Sequence, residues 1–233
     1  MERIVILTGA GISAESGLGT FRDVDGHWAK VPIEEVATPE GFARDPARVR
    51  AFYDTRRRDA LAAAPNPAHA ALARLQRALP GRVTLVTQNI DDLHERAGAA
   101  EVIHMHGEIL SAICAGCGRR WRFEGAMADG PPCPGCAEAD GVRPDVVWFG
   151  EIPYRMDEIL ERLGQATLFA AIGTSGAVYP AAGFVAEAAE AGAETVEINL
   201  APSDVSPLFD RHVRGRASEA VPAWVDEVIA GAG

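Results

Sequence analysis

The sequence predicts an α/β protein built on a parallel sheet and interrupted by two insertions. Three observations carry this expectation. Short β-branched runs alternate with Ala-rich helical stretches, the rhythm of a parallel sheet with crossover helices. The first run ends in a glycine-rich turn. Two stretches, 22–64 and 108–143, break the rhythm.

Taken in order, strands are expected near 3–8, 83–87, 102–105, 168–172 and 195–199, with a further extended segment at 146–149. Helices are expected over 46–61, 68–78, 156–163, 181–191 and 222–229. The first irregular stretch holds turns and helix but no convincing strand. The second is rich in Cys, Gly and Pro and has little periodicity. They give a helical module over 28–75 and a cysteine-bearing module over 109–143, both inserted into a single domain spanning 1–233. There are no internal repeats or low-complexity tracts.

The apolar share of 48% permits a sizeable core, and no apolar run is long enough to span a bilayer. The opening Met-Glu-Arg enters a strand directly, without the basic and apolar regions of a secretory leader, so a cytoplasmic protein that is not bound to membrane is expected. A net charge of −11 argues against direct binding to nucleic acid. Its plain reading is colloidal solubility, and it is also compatible with basic protein segments as substrates. The cations are almost all arginine, Lys30 being the sole lysine.

The first strand runs into Gly9-Ala10-Gly11-Ile12-Ser13-Ala14-Glu15, and Gly9, Gly11 and Ala14 fit a G-x-G-x-x-G/A turn. Backbone amides at such a strand-to-helix turn can face a pyrophosphate. The same glycines also suit a tight turn that merely allows close packing. A nicotinamide dehydrogenase would next show a second strand ending in an acidic residue about 20 residues on. Here Asp23 and Asp25 come too early and sit in loop. A dinucleotide fits; redox chemistry is disfavoured.

Later strands end in polar clusters: Gln88-Asn89-Ile90-Asp91, His106-Gly107-Glu108, Gly173-Thr174-Ser175 and Asn199. Any one of these is an ordinary cap or turn. Together, at the carboxyl ends of parallel strands, they describe a ligand crevice. His106 is the best general base among the six histidines, since imidazole titrates near neutrality. His104 lies two residues earlier and would face the same way on a continuing strand, so periodicity does not choose between them. His27, His69, His94 and His212 read as surface or structurally satisfied residues.

Cys114-x2-Cys117 and Cys133-x2-Cys136 lie fifteen residues apart, the spacing of a four-thiolate zinc ribbon. Redox dithiols and an iron–sulfur cluster are the alternatives. Four thiolates complete a tetrahedron and leave no position for water, so one zinc here would be structural.

These motifs together resemble the sirtuin family along nearly the whole chain. The resemblance rests on Gly9 to Ser13 with Ser16-Gly17, Thr20-Phe21-Arg22, Thr87 to Asp91, His106-Gly107, the Cys pairs, Val147 to Glu151 and Gly173 to Ser175, in the family's order. It implies a Rossmann-like large lobe and a small lobe formed by a helical insertion and a zinc ribbon. It also implies an NAD-dependent protein-lysine deacylase in which nicotinamide leaves and the acyl oxygen attacks the ribose. Free lysine and O-acyl-ADP-ribose are the other products. By the same resemblance, His106, Gln88, Asn89 and Asp91 are catalytic. Gly9, Ala10, Gly11, Ser13, Glu15, Thr20, Phe21, Arg22, Trp28, Gln88, Asn89, Ile90, Asp91, Gly173, Thr174, Ser175, Asn199, Leu200 and Ala217 bind NAD. Val147, Phe149, Gly150 and Glu151 would pair with an acylated-lysine segment of another protein as an added strand. Such an enzyme is expected to work as a monomer.

Tyr53 and Arg56 stand at i and i+3 and share a helix face. A phenol beside a guanidinium can grip a carboxylate. The pair resembles the acidic-acyl motif of class III sirtuins, and Ala37 matches their small pocket residue, implying succinyl and malonyl as well as acetyl substrates. An ordinary helix with Tyr53 on the core side and Arg56 solvated is the plain alternative. Gly19, Asp23 and Asp145 depart from the family's usual residues. Gly19 is expected to loosen the cofactor loop, and Asp23 to add negative charge beside the site. The rival enzyme reading is a mono-ADP-ribosyltransferase that uses the same bond cleavage; the rival outside catalysis is a module that only senses NAD.

Overall fold

The structure, a computed structural model, describes residues 3–19 and 31–232. Strand β1 (Ile4–Thr8) is buried at every position, as a central strand covered on both faces must be. It leads into the short helix α1 (Ala10–Ser13). Helices α2 (Ile33–Val36), α3 (Pro39–Arg44) and α4 (Pro46–Ala62) follow. Helix α4 starts where the Asp45 carboxylate accepts the Arg48 amide at 3.0 Å and Pro46 fills a position that needs no N–H. Asn66 and Pro67 open α5 (Pro67–Ala78) in the same way.

Next come β2 (Val83–Thr87), α6 (Leu93–Arg96), β3 (Ile103–His104), β4 (Gly107–Cys114), β5 (Arg120–Arg122) and β6 (Val142–Val146). The chain finishes with α7 (Met156–Leu163), β7 (Leu168–Ile172), α8 (Phe184–Glu190), β8 (Glu194–Asn199), β9 (Arg211–Arg214) and α9 (Ala217–Gly231).

Six strands form a parallel sheet in the order β3-β2-β1-β7-β8-β9. The chain works outward from β1 on one side, then returns to β7 on the other. The β1–β7 boundary is therefore a topological switch point, where a crevice opens beyond the strand ends. Period-two alternation divides the core: Ile4 and Ile6 pack toward α5 and α9, Val5 and Leu7 toward α7 and α8.

The second sheet, β5-β4-β6, is antiparallel. Helix α4 splints it to the rest. Arg50 donates to the carbonyls of Val142, Ala139 and Asp140, Arg57 donates to Ile109, and Asp54 accepts the amides of Met127 and Ala128. The expected fold class, a parallel-sheet lobe with a smaller lobe carrying the cysteines, is what the chain adopts.

Several boundaries differ from expectation. The extended segment expected at 146–149 lies earlier, at Val142–Val146, and the chain then turns. The strand expected over 102–105 is regular only at Ile103–His104, although the Met105 amide still donates to Thr87 at 3.1 Å. The helix expected over 181–191 opens as a tighter 3-10 turn and becomes α-helical at Phe184. The last helix begins at Ala217, five residues before Pro222, because Glu15 accepts both the amide and the hydroxyl of Ser218, at 2.9 and 2.8 Å. That cap comes from the opposite end of the chain. Strands β4, β5 and β9 were not anticipated; β4 is hidden by the Gly- and Cys-rich text around it, and β9 is a charged edge strand. No helix among the described residues is long and apolar enough to cross a membrane.

Candidate functional site

The four cysteines come together as the spacing requires. Their sulfurs all lie within 4.8 Å of one another, and the Cys114–Cys136 and Cys117–Cys133 pairs are each 3.6 Å apart. Four thiolates at about 2.3 Å from a tetrahedral zinc would stand roughly 3.8 Å apart, so the cluster fits that ion and no disulfide.

The crevice is floored by an approach of two turns. The Gly9 amide donates to Ile172 at 2.9 Å and the Gly11 amide to Gly173 at 2.8 Å. A Cβ on Gly11 would lie 2.7 Å from the Gly173 Cα, and Gly173 itself has φ +65°, so neither position tolerates a side chain. These two amides are thus engaged with β7 rather than turned toward a pyrophosphate. The glycines shape the floor through close packing, one of the two readings that the turn allowed.

Above the floor, Ser13 on α1 donates to Asp91 at 3.1 Å and accepts from the Asn89 amide at 3.1 Å, while Asn89 also donates to the Gly9 carbonyl at 3.2 Å. Burial raises the Asp91 carboxyl pKa, against hydrogen bonds from Leu93 and Ser13. The loop 88–91 is therefore held against α1, with Ile90 packed beside Ala37, Tyr53 and Trp148.

Hydrogen bonds distinguish the two histidines. His104 is committed on both nitrogens, Nδ1 to the Asn89 carbonyl at 3.2 Å and Nε2 to Glu95 at 2.7 Å. Burial disfavours its cation, but the Glu95 bond and charge outweigh this and raise its pKa. It is a structural cation-former. In His106, Nδ1 lies 3.1 Å from the Gln88 carbonyl, which can only accept. The proton therefore sits on Nδ1, leaving the Nε2 lone pair as a base. Burial lowers the His106 pKa, keeping the ring neutral.

At the far end, Asn199 donates to the Thr174 carbonyl at 2.9 Å, and Ser175 accepts the Asp204 amide at 2.9 Å. Buried Glu197 accepts from Ser203, Ser206 and Arg214; burial would raise its carboxyl, but these bonds hold it at about 2. Leu200 is largely exposed, and Ala217 opens α9 beside the Glu15 cap. Both Glu15 oxygens serve that cap and tie the turn after α1 to α9. Thr20, Phe21, Arg22 and Trp28, together with Asp23 and His27, lie outside the described residues.

The three consecutive arginines of α4 diverge. Arg58 is exposed, Arg57 is buried against Ile109, and Arg56 is partly buried beside Tyr53, where burial lowers its pKa against the opposing influence of Tyr53, Asp59 and Asp91. Of the plain alternative, a core-side Tyr53 holds and a solvated Arg56 does not. Tyr53 is only 1% exposed; burial pushes its hydroxyl up to about 12, so it stays a neutral donor. Segment 147–151 does not run as a strand. The Val147, Phe149 and Glu151 amides donate to His106, Ala37 and Trp148, which removes them from pairing with a peptide. Asp145, the departure from family habit, is buried and bound by Arg120 and Tyr154.

Of the surface or structural roles that the sequence left to His69 and His94, the structural one holds, and together they form a buried layer beneath the loop that sequence reasoning did not place there. His94 Nε2 lies 3.0 Å from the Thr8 hydroxyl, which donates to Thr87 at 2.9 Å, and Thr87 accepts the Asn89 amide at 3.0 Å. His69 approaches Ser13 at 3.4 Å and its ring stands 4.9 Å from that of His94. Nothing in the periodicity of α5 or α6 marks these residues; only Asn66 three positions before His69, as an N-cap, hints at one of them.

A crevice at the switch point of a 3-2-1-4-5-6 sheet, beside a four-thiolate lobe, defines a nucleotide-binding α/β protein with a structural metal. Residues 9–180 match the model of the Sir2 family, and the chain belongs to that family. An NAD-dependent protein deacylase of Caulobacter vibrioides is 55% identical over 98% of this chain and 97% of its own length. A solved Sir2 homologue in complex with NAD is 38% identical, with a TM-score of 0.90 over 99% of this chain and 91% of that one. A Sir2 variant solved with a deacetylated p53 peptide and 3'-O-acetyl ADP-ribose is 29% identical, with a TM-score of 0.82 over 98% and 93% of the two chains.

Proposed function

We propose that this chain is a cytoplasmic, monomeric NAD-dependent protein-lysine deacylase that removes succinyl and malonyl groups, with acetyl alongside, from segments of other proteins. The observation that carries the acyl choice is the partly buried Arg56 beside buried Tyr53, in the cluster that contains Ala37. A guanidinium taken out of water favours an anionic partner, and a neutral phenol adds a directional donor.

Bound NAD supplies a ribosyl carbon with nicotinamide as leaving group. His106 Nε2 takes a proton from a ribose hydroxyl, because Nδ1 is held by Gln88. Gln88, Asn89, Ile90 and Asp91 surround the reacting ribose, with Asn89 and Asp91 held through Ser13. Gly9, Ala10, Gly11, Gly173, Thr174 and Ser175 bound the crevice floor; Asn199, Leu200 and Ala217 bound its far end. Thr20, Phe21, Arg22 and Trp28 belong to the reading through family resemblance. Since the Val147, Trp148, Phe149 and Glu151 amides are engaged internally, an acyl-lysine segment is gripped there through the Gly150 amide and the carbonyls of Val147, Phe149 and Gly150.

Matched succinyl-, malonyl- and acetyl-lysine peptides incubated with NAD and the protein provide the test. Deacylated peptide with O-acyl-ADP-ribose is expected, with succinyl turnover at least equal to acetyl. ADP-ribosylated protein without deacylation would support the transferase instead.

A further inference from the structure

We propose that Trp148 is a specificity-determining positioning residue, whose indole N–H orients the Tyr53 hydroxyl so that its proton points to the acyl carboxylate. The proposal rests on the acidic-acyl reading above and deepens it.

A phenol oxygen can accept and donate, whereas an indole N–H can only donate. Trp148 Nε1 donates to the Tyr53 oxygen at 3.0 Å. That contact fixes the phenol as the acceptor of this pair and leaves its own O–H to find an acceptor elsewhere. Among the described residues no hydrogen bond takes that proton. A buried hydroxyl with an uncommitted proton is costly unless a ligand supplies the acceptor. The adjacent Arg56 makes an anionic acceptor the favoured one.

The indole is itself rigidly held. It is 3% exposed, the Arg143 guanidinium stacks 4.0 Å from its ring centroid, and Phe42 packs against it at 5.4 Å. Glu151 clasps both: it accepts the Trp148 amide at 2.8 Å and Arg143 Nη2 at 2.6 Å. The next amide, that of Phe149, donates to Ala37, so two walls of the acyl pocket and the substrate turn form one unit. An acetyl group has no carboxylate to receive the Tyr53 proton. Orientation of that proton therefore discriminates between acyl groups and does nothing for the chemistry common to them.

The test is Trp148→Phe, which keeps an aromatic ring and removes the donor. It is assayed with NAD and succinyl- and acetyl-lysine peptides of one sequence. The ratio of the two kcat/KM values cancels any shared loss from imperfect packing. The ratio is expected to fall about 3- to 10-fold, through KM for the succinyl peptide, the size of one neutral hydrogen bond. Tyr53→Phe should lower it at least as far, and the double variant no further than Tyr53→Phe. If Arg56→Met and Tyr53→Phe depress succinyl turnover selectively while Trp148→Phe leaves the ratio unchanged, the positioning role is overturned and the clamp stands. An unchanged ratio in Arg56→Met overturns the clamp and the positioning role with it.

Discussion

The two sheets of this molecule are stabilised differently. All five residues of β1 are buried between helix layers, and apolar side chains fill both faces of the parallel sheet. Among the described residues, the cysteine end of the antiparallel sheet has a buried cluster of Ala112, Cys114, Met127, Cys133 and Val142, two of them thiols, flanked by Trp121 and Phe123, while Ile109, Leu110 and Val146 at its other end pack on α4. So small a cluster cannot offset the entropy of ordering its loops. Metal ligation and the braces from α4 must supply the difference. The contrast extends to chemistry: self-sufficient packing frees the ends of the parallel strands to hold reactive groups, while four-thiolate closure leaves the other lobe no open coordination position.

The strongest way to break this contrast is to remove the metal. Cys136→Ser, or chelation of the native protein, should abolish one equivalent of bound zinc. It should also expose the β4, β5 and β6 amides to exchange, with on the order of 10 kcal/mol of metal-linked folding energy lost to that lobe. The helices around the parallel sheet should stay protected. Uniform loss of protection across the chain, or none, would end the comparison. Next in size, His106→Ala should lower deacylation about 10²- to 10⁴-fold with little change in melting temperature, as befits a base that the fold does not need. A wild-type rate in that variant would remove His106 from the chemistry.

A smaller effect sharpens the view of the large lobe. Burial lowers His69 to about 4, from an ordinary value of 6.5. Below pH 6.5 the unfolded chain takes up a proton that the folded ring refuses, so stability falls as pH drops toward 4 and levels below it. The loss attributable to this one ring is on the order of 3 kcal/mol. Urea unfolding between pH 7 and 4, compared with His69→Gln, should show a shallower acid loss in the variant. Parallel curves would mean that the ring protonates equally in both states.

Much of the frame was legible in sequence because it is local. Short apolar runs announce β1, β2 and β7 within a residue or so, β-branched in the first two, and Pro46 and Pro67 mark helix starts through their missing N–H. Pro222 misled for the opposite reason, because the cap that starts α9 is Glu15, distant in sequence. The acyl pocket was half legible: Tyr53 and Arg56 share a helix face by spacing, but the Trp148 contact depends on a turn that sequence reading took for a strand.

Residue order alone determined the alternating sheet, the glycine turn, the two Cys-x2-Cys pairs and the polar strand ends, since each is written in neighbouring positions. Tertiary structure alone decided that His106 and not His104 keeps a bare nitrogen, that the Gly9 and Gly11 amides bind β7, and that His69 and His94 underlie the reactive loop. In each case the deciding partner lies on another element, and a hydrogen bond reads distance in space rather than along the chain.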